Sequence, residues 1–82
     1  MEYRLDNGLR VDCLLPNYAV EYDFAKKYRQ SILQALEYAM HTNKHAKCVL
    51  IKESEKDQKY IDRANELIRF YGLPLVVEVV SD

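Results

Sequence analysis

Nowhere in the 82-residue chain do apolar residues run for the roughly 20 consecutive positions that a membrane-spanning helix needs. The N-terminus also lacks the basic-then-apolar pattern of a secretion signal, so the expectation is a soluble, untargeted, cytoplasmic protein with no membrane partner. Cysteine is scarce as well: Cys13 and Cys48 lie far apart in apolar, strand-like runs with no Cys-x-x-Cys pair, which reads as buried reduced thiols. Charge of one sign is not in excess, with 12 Lys and Arg against 13 Asp and Glu. That balance excludes binding of nucleic acid by bulk electrostatics and leaves room only for a local basic patch or a bound cation. There are no linkers, repeats or low-complexity tracts, and the length suits one domain over residues 1–82.

Glycine and proline number only two each, so each one is punctuation. Asp6-Asn7-Gly8 separates "EYRL" from "LRVDCLL", and Asn-Gly between alternating runs is a strong hairpin signal because a type I′ turn needs positive φ at both centres. Pro16-Asn17 marks a second turn. Three antiparallel strands are predicted, near residues 2–5, 9–14 and 18–22. From Phe24 the period changes to that of a helix, with Ala25, Tyr28, Ile32, Leu36 and Ala39 on one face and Asp23 available as its cap. "AKCVLI" reads as a short continuous strand. Ser54-Glu55-Lys56-Asp57 resembles a capping box, and Tyr60, Ile61, Ala64, Leu67, Ile68 and Tyr71 outline a second helix ended by Gly72 and Pro74. "LPLVVEVV" is the last strand. The expected fold is α/β in the order βββαβαβ: a three-stranded antiparallel meander followed by α-β-α-β, giving a mixed sheet with two helices.

The stretch "AVEYDFAKK" sets Glu21 and Asp23 inside a strand. If Pro16 and Asn17 form the centre of the second turn, Leu14 faces Ala19, Asp12 faces Glu21 and Arg10 faces Asp23. Opposed residues share a sheet face with Cβ atoms about 4.5–5.5 Å apart, and like charges so placed repel. A cation between them, a protonated carboxyl, or a different register would each resolve the conflict. A divalent ion is the simplest resolution, and hard oxygen ligands suit Mg²⁺ or Mn²⁺. Asp23 could extend the cluster, pair with Arg10 or cap the helix. On the helix, Lys27, Ser31, Gln34 and Tyr38 form a polar stripe beside the apolar face. Lys27, in the first turn, could hold a phosphate, while Gln34 and Tyr38 could hydrogen-bond a nucleic-acid backbone.

An Asp on one strand, an acidic residue on the next and a following helix with Gln-x-x-x-Tyr resemble the PD-(D/E)xK nuclease superfamily, the restriction-endonuclease-like fold. "GLRVDCL…YAVEYDFAKKYRQSILQALEYA" is similar to a group of small bacterial proteins of that superfamily over about residues 8–51. The resemblance implies Asp12 and Glu21, with Asp23, as metal ligands for Mg²⁺ or Mn²⁺. It also implies Gln34 and Tyr38 as the Gln-x-x-x-Tyr pair, and hydrolysis of a phosphodiester in nucleic acid, DNA first, by metal-activated water. Val11 stands where the family has Pro. Asp23 stands where it has the catalytic Lys, which passes that role to Lys27 or, as second choice, Lys26. The family's N-terminal helix is not found before the first hairpin, and a second copy completing the core as a homodimer is one way to compensate.

Plainer roles accompany each of these. Asp12 and Glu21 could be ordinary charges on a wet sheet face, and Lys26 and Arg29 the solvated side of the helix. His41 and His45 have the spacing of a helical metal pair but lack further ligands. Tyr28, Tyr60 and Tyr71 fall on apolar faces and read as core, Tyr3 is expected beside Asp12, and Glu78 marks an outward face or an edge strand. Two other function classes fit the same residues: a noncatalytic nucleic-acid-binding or regulatory module, and a small protein-interaction domain.

Overall fold

The computed structural model describes residues 3–4, 10–11 and 13–81, and side chains from residue 15 to residue 81. Six strands and two α-helices follow one another: β1 (Tyr3–Arg4), β2 (Arg10–Val11), β3 (Cys13–Leu14), β4 (Tyr18–Phe24), α1 (Tyr28–Thr42), β5 (His45–Lys52), α2 (Gln58–Tyr71) and β6 (Leu75–Ser81). Single 3₁₀ turns, Ala25–Lys27 and Glu55–Asp57, lead into the two helices. The long strands stand in the order β4-β5-β6 and all run parallel.

This overturns the expected antiparallel meander and mixed sheet. Among the described residues β1 and β2 pair with one another, in a two-stranded sheet, and β3 meets β4 antiparallel at Cys13–Val20 and Leu14–Ala19. The second turn signal is real: Leu15 N–H donates to Tyr18 O across Pro16-Asn17 at 2.8 Å. A turn sets where a chain reverses, however, and not how far the ladder extends. β4 makes its long ladder with β5 on its other side, from Tyr18–His45 to Phe24–Ile51. The near-continuous apolar runs of β5 and β6, separated by a helix, carry the signature of parallel strands. The first hairpin opposes Tyr3 to Val11 and Arg4 to Arg10, so Tyr3 does not pair with Asp12 as expected. Asn7, Gly8 and Asp12 lie outside the described residues.

Two successive right-handed crossovers in the same direction lay α1 and α2 on one face of the sheet. Register fixes which strand residues meet them: the rows Ala19–Ala46–Leu75, Glu21–Cys48–Val77 and Asp23–Leu50–Val79 point to the helices. The core between these layers joins Tyr28, Ile32, Ala35 and Ala39 of α1 and Ile61 and Ala64 of α2 to Ala19, Ala46, Cys48 and Leu50 of the strands. Alanine is prominent among its buried residues, with Ala19, Ala25, Ala35, Ala39, Ala46 and Ala64 all covered. On the opposite face Val20 and Val49 are buried, whereas Tyr22, Phe24, Val76 and Val80 are exposed. No described helix is long and apolar enough to cross a membrane.

Candidate functional site

In open α/β sheets, ligands gather outside the carboxyl ends of the parallel strands. β4, which has β3 on one side and β5 on the other, carries Glu21 and Asp23 toward that end and on the helix-facing side. Glu21 is buried, with 6 % of its surface exposed, and Asp23 is half-buried. A strand advances about 3.3 Å per residue, so the i, i+2 spacing brings two carboxylates of one face within reach of a single small cation. Asp23 does not cap α1: its Oδ1 accepts the Phe24 N–H at 2.8 Å, and the Lys27 N-cap position of α1 makes no side-chain bond. Asp12, the third expected ligand, lies outside the described residues, though the Cys13–Val20 and Leu14–Ala19 pairs next to it follow the predicted register.

Next to Glu21 in the ladder is Cys48, a free thiol with no exposed surface. Its Sγ donates to the Ser31 main-chain O at 3.4 Å, which places the middle of α1 above the Glu21–Cys48 row. Burial pushes the thiol up from its ordinary value of 9.0 to about 11; the neighbouring Ser31 side chain opposes the rise, and the charges of Glu21 and Asp23 add to it. Ser31 itself is fully buried, and its Oγ has no hydrogen-bond partner.

The polar stripe of α1 therefore divides. Lys27 is exposed just before the first turn, three residues after the carboxyl end of β4. Gln34 is half-buried one turn past Ser31. Tyr38 is 9 % exposed and belongs to the core, so it packs beneath α1 and does not offer a surface to a nucleic acid. Of the three residues expected to meet a nucleic acid, Lys27 and Gln34 keep surface exposed. Lys26 is engaged elsewhere, 3.6 Å from Glu53 and above the Phe24 ring. His41 ends up in α1 and His45 in β5 against the Tyr18 ring, so they form no helical pair.

Sequence reasoning missed what lies beyond β5. A concavity of about 270 Å³ opens there, lined by Lys52, Glu53, Ser54, Glu55 and Ser81. Lys52 Nζ bonds Glu55 Oε2 at 3.2 Å and Gln58 Oε1 at 2.9 Å, and Asp57 Oδ2 accepts the Glu53 N–H. The only sequence signal was position, since these residues follow an apolar strand.

Among the described residues no group of three or more His, Cys, Asp and Glu converges on one point. The donor set nonetheless suits Mg²⁺ or Mn²⁺. Mg²⁺ is usually held by one or two carboxylates, with waters and substrate phosphates completing its octahedron, and Glu21 and Asp23 supply two hard-oxygen groups. No family model, curated protein or solved structure matches the chain.

Proposed function

We propose that the chain is a metal-dependent phosphodiester hydrolase acting on nucleic acid, with chemistry of the PD-(D/E)xK kind. The observation that carries this reading is the buried carboxylate of Glu21 on the helix-facing side of β4, with Asp23 two residues on and Lys27 opening α1 at the same end. Burying a carboxylate inside a strand is costly, and a bound divalent cation is one group that would compensate it. Glu21 and Asp23 would hold the cation. When bound, a divalent ion polarises the phosphoryl oxygen and lowers the pKa of water. Lys27, exposed at the start of α1, would offset the charge that builds on the phosphate, and Gln34 would orient the strand through a neutral hydrogen bond. DNA is the first substrate to test, with RNA beside it.

A second reading has one observation of its own. Asp23 stands where the resembled motif has lysine, and it is occupied with the Phe24 N–H. A binding module that no longer hydrolyses would keep Lys27 and Gln34 and bind in a salt-dependent manner without metal.

The test is cleavage of single- and double-stranded DNA and RNA in Mg²⁺, Mn²⁺ or EDTA, by the wild-type chain and by Glu21→Gln, with circular dichroism verifying that the variant is folded. The proposal expects cleavage that EDTA abolishes and that Glu21→Gln lowers roughly 100-fold or more. Absence of cleavage on every substrate with either metal overturns it. Salt-dependent binding without cleavage would then select the binding module.

A further inference from the structure

β6 is the outermost of the described strands and is bonded to β5 alone. Edge strands are normally protected by short length, lysine, proline, a bulge or an inward charge, because a free row of N–H and C=O groups is a template for another strand. β6 runs for seven residues, LVVEVVS, without lysine or proline. Its one charge, Glu78, is drawn back onto its own sheet by Lys47 of β5 at 3.1 Å, so it is neutralised as a guard. Val76 and Val80 on the open face and Val79 on the helix face are 48 %, 37 % and 43 % exposed. Apolar surface is thus uncovered above and below the same unpaired backbone. Only another β-strand, apolar on both faces, satisfies all three at once.

We propose that this partner is β6 of a second copy, paired antiparallel about a two-fold axis perpendicular to the sheet. The chain supplies its own complement. Such an axis keeps the helices of both copies on one side and opposes residues that share a face. Centred on Val77, it sets Leu75 against the partner's Val79 and Val76 against the partner's Glu78. Centred on Val79, it sets Glu78 against the partner's Val80. Either centre keeps the two glutamates apart and covers two of the three exposed valines. A centre at Glu78 would oppose like charges and is disfavoured. The inference rests on the strand edge alone and does not depend on the hydrolase reading.

Sedimentation velocity over a concentration series tests it, with Val79→Lys and Val76→Lys as edge variants and Leu33→Lys, at an exposed site on α1, as the control. The expected result is a wild-type species of twice the 9.7 kDa monomer mass at high concentration, retained by Leu33→Lys and lost in Val79→Lys, whose valine is covered under either centre, with loss in Val76→Lys as well placing the axis at Val77. Amide hydrogen exchange supplies a readout without substitution, because β6 amides should gain protection as concentration rises. A wild-type monomer at the highest soluble concentration overturns the proposal. So does a dimer that survives Val79→Lys or protects the helices in place of β6.

Discussion

A thiol held protonated beside two carboxylates makes Cys48 a reporter of the candidate site. Between its ordinary value of 9.0 and the folded value of about 11, the unfolded chain releases this proton while the folded chain keeps it. Stability from this group is therefore fully present below pH 9 and is lost as pH rises toward 11, by about 3 kcal/mol for two units. Denaturant melts across that window should slope downward in the wild type and less so in Cys48→Ala; equal slopes would contradict the coupling. Glu21 was legible as an anomaly because charge within an apolar strand demands a reason. The inward turn of Ser31 and Tyr38 was not legible, since a polar stripe on a helical wheel looks solvated until the sheet position is known. Tyr71, expected in the core, is 68 % exposed because it is the final residue of α2 and extends past the covered part of the sheet.

Helix boundaries carry their own chemistry. Both α-helices end on a left-handed residue, Asn43 at φ 56° and Gly72 at φ 63°. An added Cβ at Gly72 would meet nothing within 4 Å, so substitution there incurs backbone strain alone. Gly72→Ala should cost about 1 kcal/mol and Gly72→Asn less, as measured by chemical denaturation. At the other end of α2, Ser54 Oγ accepts the Lys56 N–H at 3.3 Å, and Ser54→Ala should cost about 1 kcal/mol at most. The Gly72 stop and the Ser54 start were readable because few residues can fill those positions. The start of α1 was not, because Asp23 bonds its immediate neighbour and a 3₁₀ turn, with Phe24 before it and no side-chain cap, takes up the first residues. Asn43 carried no such mark, as its left-handed conformation sits within a polar run.

Across the whole molecule, strand and helix identities were more legible than their pairing. The segments around β4, α1, β5, α2 and β6 follow from period and punctuation, whereas turn chemistry does not dictate sheet direction. The ladder between β4 and β5 joins residues on either side of α1, on the edge of β4 away from β3, and no local signal near Pro16-Asn17 reports on it. What decides it is the apolar density of β5 and the crossover helix that covers it. The same logic leaves β6 as the outermost of the described strands, which no local reading of its residues would show without the strand order.

The alanines that let α1 and α2 approach the sheet have a thermal consequence. Replacing larger side chains by methyl groups reduces the apolar area released on unfolding, and that area is what raises the heat capacity of the unfolded state. Calorimetry should give a heat-capacity increment below the usual value of about 12 cal/mol/K per residue. The stability curve would then be broad and shallow, falling gently on both the warm and the cold side of its maximum.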